Sequence, residues 1–525
     1  MDNGESEIDD LRFFLAEDGK TNAKSELEAT LEGLLHEKRF DDNSTACLYP
    51  ARKTWLKQKL SLQNLPSVTC TEYSKVLQRL DPKSATIVFP AAHINSPASM
   101  FGHTFLRINS SYDSKLLSYA VNYAADADAD TSNGVVFALK GLFGGYLGRY
   151  SLLPYYEKLK EYKDTEQRDI WEYNLNLNEA EVQRMVEHIW ELNTANSFYY
   201  FLTENCSYNM LWLLEVARPS LKLREKFNFT VIPLETIHIA EGADIVSSDN
   251  FRPSKRTVLL KYEDLILSEF LQFPRALVES HLSIDTFIHD KTISLQQKMY
   301  ILEAAIEYLE YSFTKAKTSK KKYLTLFHEL SKTRASLGQG DKIAIETPSN
   351  PMNSHRAIRV STGVGVRDSE TIGFLGLRQA YHSLEDSSFG FLRGTQIEFL
   401  NLDLSYRDNS LKLENATLLS IVSLAQRSEF FDVFSWRTKF AFDNDYINDN
   451  PNFIATVGGG LSWGNELGYL YALADPLFYV ENRVVSALGT SLGIVIDKYA
   501  NSNTNLELTK RYYDNGKNQY LAKFS

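Results

Sequence analysis

YFLTENCSYNMLWLLEVARP, residues 200–219, is the stretch on which the fold turns. Polar Thr203, Glu204 and Asn205 precede Cys206, and an almost wholly apolar run follows it. A segment apolar on nearly every side reads as a buried helix. Asn205 suits its N-cap. Arg218-Pro219 ends it, because the residue before a proline avoids helical angles. Cys206 then lies in the first turn, where the helix dipole favours a thiolate. It is one of three cysteines in 525 residues, so two readings stand: a small core residue, or a nucleophile.

A thiol nucleophile needs a lowered pKa, a base within hydrogen-bond reach and a group that orients the base. His103, in SMFGHTFLRI, heads a strand, and LLSYAVNYAA supplies the next one. A hairpin turning around Tyr112 sets Asn122 opposite His103 on one side of the sheet, with Cβ atoms roughly 5 Å apart. A slip of register would turn Asn122 away. His93, in FPAAHINSPASM, competes as the base, and Glu204 reads as a loop charge or as a second orienting group. KGLFGGYLGRY carries four glycines but matches neither dinucleotide nor P-loop spacing, so it reads as a flexible loop or pocket wall. With no metalloprotease helix, serine elbow or paired-cysteine zinc pattern, neither a metal nor a cofactor is expected.

Hydrophobic residues make up 43% of the chain and charged residues 23%, enough for a sizeable core. The net charge of −11 argues against nucleic acid as a partner. No apolar run approaches the roughly 20 residues of a spanning helix. The acidic start, MDNGESEIDD, lacks the pattern of a secretory signal. Cys47 and Cys70 lie in one short segment, either bridged or as two buried thiols.

Four domains are expected. Residues 1–80 read as helical, with NAKSELEATLEGLLHEKRF and ARKTWLKQKLSL as helices. Residues 81–240 mix strands such as ATIVFPA with helices such as NEAEVQRMVEHIWELN, an α+β unit. Residues 241–345 return to helix, with a hairpin turning near Lys317–Lys321. Its five lysines, Lys315, Lys317, Lys320, Lys321 and Lys322, mark a solvated loop or a contact for an anionic lipid surface. Residues 346–525 alternate with period two. In FSWRTKFAF, Phe434, Trp436, Thr438, Phe440 and Phe442 share one face, and Ser435, Arg437, Lys439 and Ala441 the other. YDNGKN is a hairpin signal. About ten such strands, near the 9–11 residues that cross a bilayer, predict an antiparallel β-barrel.

Five segments carry a resemblance: FPAAHINSPASMFGHTFLRI, LLSYAVNYAA, SLLPYYEKLKEY, RDIWEYNLNL and FLTENCSYNMLWLLEVARP. Together they resemble the Lnb N-terminal periplasmic domain family of bacterial envelope proteins, whose members include a lipoprotein N-acyltransferase using a cysteine and a histidine. The likeness covers about 85–240. It implies a circularly permuted papain-like (NlpC-like) catalytic domain in which the histidine strand precedes the cysteine helix. By the resemblance Cys206 is the nucleophile, His103 the base and Asn122 the third residue. It also implies a periplasmic or outer-membrane location in a Gram-negative bacterium and favours a Cys47–Cys70 bridge.

The function expected on these grounds is a thiol acyltransferase or acyl hydrolase acting on a phospholipid or lipoprotein acyl ester. Backbone N–H groups at the helix start would hold the oxyanion. Asn205, Tyr155 and Tyr200 are the candidates for substrate contact, with Tyr199, Phe201 and Tyr156 beside them as groove or core residues. The alternatives are a peptidoglycan amidase or peptidase on the same dyad, and a non-catalytic envelope assembly module.

Overall fold

In the computed structural model the described residues are 4–91, 102–126, 136, 140–227, 230–367, 369–407, 409–443, 452–465, 467–480, 484–497 and 503–525. The chain divides into two compact units. One comprises residues 1–90, 103–160 and 171–250, and the other 91–102, 161–170 and 251–525. The fold is mixed α+β, with two antiparallel sheets.

The first unit opens with four helices, α1 (Ala23–Leu35), α2 (Thr45–Leu48), α3 (Pro50–Lys59) and α4 (Thr71–Leu80). Asn22 caps α1 by accepting from the Ser25 N–H, and Ser44 caps α2 through the Cys47 N–H. Cys47 and Cys70 are joined in a disulfide with Cα atoms 5.2 Å apart, which ties α2 to the start of α4. The indole of Trp190 donates to the Cys47 carbonyl at 2.8 Å and fixes this segment to the rest of the unit.

A seven-stranded sheet forms the centre. Its strands are β1 (Ser84–Pro90), β2 (Phe105–Asn109), β3 (Tyr119–Ala125), β4 (Tyr146–Pro154), β5 (Ile170–Leu175), β6 (Asn196–Tyr199) and β7 (Val246–Arg252), in the order β6-β4-β3-β2-β1-β5-β7. Helices α5 (Tyr155–Lys160), α6 (Glu179–Glu191), α7 (Cys206–Ala217) and α8 (Pro233–Gly242) surround it. All five residues of β2 are buried, the mark of a strand covered on both faces. Inside it, Arg107 pairs with Glu172 at 2.6 Å and also donates to Asn109 and Thr86. The pair is thus fully hydrogen-bonded, the condition for keeping two charges in a dry core. The glycine stretch is not a loop throughout. From Tyr146 it enters β4. Gly144, at φ +72°, lets the Tyr200 ring lie where a Cβ would stand, and Gly148 does the same for Tyr123.

The second unit begins with α9 (Lys255–Leu265), α10 (Phe273–Glu279), α11 (Ile284–His289), α12 (Leu295–Thr314) and α13 (Lys320–Ser336). The expected helical hairpin is α12 and α13. Ile301, Leu302, Ala304, Ala305 and Leu309 of α12 pack with Leu259, Leu277, Phe287 and Leu330 into one core, which also takes Phe430 and Phe431. Among the described residues no helix is long and apolar enough to cross a membrane.

Ten consecutive hairpin strands follow: β8 (Arg359–Arg367), β9 (Glu370–His382), β10 (Thr395–Arg407), β11 (Ser410–Ser423), β12 (Ser435–Asp443), β13 (Asn452–Gly464), β14 (Gly468–Val480), β15 (Val484–Ile496), β16 (Thr504–Tyr513) and β17 (Asn518–Phe524). The faces divide as the period-two pattern requires. Arg437 points inward to Asp475 and Glu507, while Phe434 and Phe442 are exposed. Arg359 of β8 and Lys523 of β17 line one cavity of about 380 Å³, so the sheet curls around a shared polar interior. It is nevertheless not a closed barrel. Among the described residues β8 and β17 are its two ends and form no ladder with each other. Alternation in the sequence specifies two-faced strands, but closure also requires a matching strand number and shear, which alternation does not encode.

Candidate functional site

The site is assembled where α7 meets β2 and β3. Asn205 caps α7 as expected, its side chain accepting from the Ser207 and Tyr208 N–H groups, so Cys206 is the first helical residue. The helix is apolar all round because it is buried: Met210, Leu211, Leu213 and Leu214 are enclosed. Cys206 itself is only 4% exposed.

β2 and β3 pair with Leu106 opposite Val121, Arg107 opposite Ala120 and Ile108 opposite Tyr119. Continued by one residue, this ladder sets Asn122 against Phe105, two residues away from the register expected around Tyr112. Side chains repeat their face every second residue, so a slip of two keeps Asn122 on the His103 side. His103 stands just ahead of β2, and its Nε2 lies 2.7 Å from Asn122 Oδ1. An amide oxygen only accepts, so Nε2 carries the proton. That leaves Nδ1 as the ring nitrogen for the thiol.

Burial pushes the Cys206 thiol up, but the charge of His103 and the hydrogen bonds from His103, the Thr104 backbone and Ser207 outweigh it and bring the thiol down to about 6. Ser207 Oγ lies 3.8 Å from the sulfur. The Tyr199 hydroxyl accepts the Cys206 N–H at 3.1 Å and is also hydrogen-bonded to the cysteine side chain. Burial and the nearby sulfur hold this phenol well above its ordinary pKa, so it remains a donor.

Cys206, His103 and Asn122 are therefore brought together. The other expected site residues are placed differently. Asn205 spends its side chain internally, donating to the Phe201 and Val231 carbonyls and accepting at the cap, and so has no capacity for substrate. Tyr155 is fully buried with its hydroxyl on Glu172, a core residue and not a groove wall. Tyr200 is half-buried over Gly144. His93 lies outside the described residues. Glu204 is raised by burial and by the neighbouring charges of Glu7 and Asp9. The helix-start N–H groups expected to hold an oxyanion are already engaged, by Asn205 and Tyr199. The role of Tyr199 at the cysteine was not legible from the sequence, because β6 is brought to the helix start only by its pairing with β4.

Residues 72–242 match the family model of the Lnb N-terminal periplasmic domain. Residues 1–59, 249–344 and 348–525 match three families each described as a domain of unknown function. No curated protein and no solved structure matches the chain.

Proposed function

We propose that the first unit is a cysteine-dependent acyltransferase or acyl hydrolase of the cell envelope, acting on a phospholipid or lipoprotein acyl ester. One observation carries this reading: a buried thiol held toward its thiolate by His103, whose ring Asn122 orients. The histidine strand precedes the cysteine helix, which supports a permuted papain-like arrangement. The match to a periplasmic domain family supports the location.

In this mechanism the Cys206 thiolate attacks the ester carbonyl, forming the C–S bond. The carbonyl oxygen gains the charge that the sulfur loses. The Tyr199 O–H, already at the sulfur, turns to that oxygen, where a donor contributes most. Collapse of the tetrahedral intermediate breaks the C–O bond, and the protonated His103 gives its proton to the leaving alcohol. An amine or water then attacks the thioester, with His103 taking its proton and Cys206 leaving as the thiolate.

Incubation of the full chain with radiolabelled phospholipid tests this. Label should be trapped on the wild type, be released by hydroxylamine and be missing from Cys206→Ala. Equal labelling of both proteins, or cleavage of muropeptides with no lipid label, overturns the reading.

The same proposal seats the β sheet of the second unit in the outer membrane, which requires its two end strands, β8 and β17, to close on each other there. Its inner face mixes charged groups with buried Leu473, Leu477 and Tyr479, and its outer face is apolar. Arg437, Asp475 and Glu507 are inside, while Leu470, Phe478, Leu488, Leu492 and Leu508 are exposed. Exposed apolar surface of this extent needs an apolar partner. The full chain should float with phosphatidylcholine vesicles and resist carbonate extraction. A chain that stays monomeric in detergent-free buffer and sediments away from vesicles would sink this assignment.

A further inference from the structure

We propose that His355, His382 and Asp386, in the second unit, form a binding site for a borderline divalent cation of the Zn²⁺ class. His355 Nε2 and His382 Nδ1 lie 3.0 Å apart, and Asp386 Oδ2 lies 3.8 Å from the first and 3.9 Å from the second. A triangle with these sides has one point equidistant from its corners, at about 2.1 Å from each, which is the length of a Zn–N or Zn–O bond. The three heavy atoms need not move to receive an ion there; the proton of the His382 Nδ1–H to His355 Nε2 bond leaves as the ion enters.

The surroundings prepare the ligands. His355 Nδ1 lies 2.8 Å from the Arg356 carbonyl. A carbonyl only accepts, so Nδ1 holds the proton and the Nε2 lone pair accepts from His382 Nδ1–H, the bond that an entering ion replaces. Anchoring the second ring nitrogen on a backbone carbonyl is how metal-bound histidines are oriented. Phe391 stacks on both imidazoles, with ring centroids 4.4 Å from His355 and 4.1 Å from His382, and so holds the rings in place. The Ser383 N–H donates to Asp386 Oδ2 at 2.8 Å and aims the carboxylate. Two imidazoles and one carboxylate suit Zn²⁺ and not the oxygen-seeking Mg²⁺ or Ca²⁺.

Two cations oppose the ion. Arg378 reaches the same Asp386 oxygen at 2.6 Å, and Arg359 reaches Oδ1 at 3.0 Å. An ion competes with Arg378 for Oδ2 and is repelled by both guanidinium groups. The site therefore exchanges its ion readily, unlike a closed structural zinc site. The spacing of these residues matches no zinc pattern, so the sequence alone predicts no metal here. Only the end of β9 and the turn after it bring His382 and Asp386 to His355.

The test is Zn²⁺ titration of the EDTA-treated full chain in detergent, followed by calorimetry, in a Cys206→Ser background without a histidine tag. That background removes the His103–Cys206 pair of the first unit as a competing zinc ligand set. One equivalent should bind, and Co²⁺ should replace it with a visible d–d spectrum. His355→Gln, at a half-exposed position, should weaken binding by more than about 100-fold. Arg359→Gln should tighten it by about tenfold, because it removes a repelling charge on Asp386 while all three ligand side chains stay in place. Far-UV dichroism checks the fold of each variant, and the Arg359→Gln gain keeps the test decisive should a histidine variant not fold. Failure of Zn²⁺ to bind below about 1 mM overturns the site. So does affinity unchanged in either His355→Gln or Arg359→Gln.

Discussion

Asn122 holds His103 from a diagonal position. Continued by one residue, the β2–β3 ladder sets Asn122 against Phe105, yet its Oδ1 lies 2.7 Å from the Nε2 of His103. The amide fixes which ring nitrogen is protonated, and so fixes Nδ1 as the base.

The thiol's titration follows from this arrangement. Alkylation of Cys206 by iodoacetamide should be near its plateau at pH 8 and fall as pH drops through about 6, where the thiolate is lost. In His103→Ala the attractive charge is gone but burial remains, so the midpoint should rise above the roughly 8.5 of a free thiol. Asn122→Ala should move it part of the way, with Asn122→Gln restoring little because the amide no longer reaches. A midpoint unmoved by His103→Ala would remove the histidine from the chemistry.

Tyr199 offers a separate test. Tyr199→Phe keeps the ring that stacks on Tyr123, with centroids 5.7 Å apart, and removes only the hydroxyl. If that hydroxyl serves the oxyanion, acylation from phospholipid should slow by about 10²–10³-fold. Because His103 is untouched, Cys206 should still be alkylated with a low midpoint. Loss of alkylation and acylation in equal measure would mark Tyr199 as a packing residue.

Glu191 gives the first unit a pH-dependent stability. Burial raises its carboxyl to about 7, against the pull of Arg52. A carboxyl whose folded pKa exceeds its unfolded value stabilises the fold most at low pH. That contribution shrinks as pH rises from the unfolded value near 4.5 and is lost by about 7. The loss should be on the order of 3 kcal/mol and should vanish in Glu191→Gln. Chemical denaturation of both proteins at pH 5 and pH 8 measures it. Parallel pH profiles would refute the assignment.

The disulfide contributes through the unfolded chain. Cys47 and Cys70 are 23 residues apart. Closing a loop of that length should stabilise the first unit by about 3 kcal/mol. Cys47→Ala with Cys70→Ala should lower the melting temperature, and dithiothreitol should lower the wild type to match. A melting temperature unchanged by both treatments would show that the helical segment is held by packing alone.

The sequence by itself determined a good deal. Period two in residues 346–525 specified strands with two distinct faces, because side chains alternate across a strand whatever surrounds it. Asn205 and the apolar run behind Cys206 specified a capped, buried helix, since caps and periodicity are local properties. Tertiary structure alone decided the rest. The pairing of β2 with β3 chose the partner of His103, and the pairing of β6 with β4 delivered Tyr199 to the cysteine. Strand register and long-range approach depend on how distant segments share one core, and no local window of sequence carries that information.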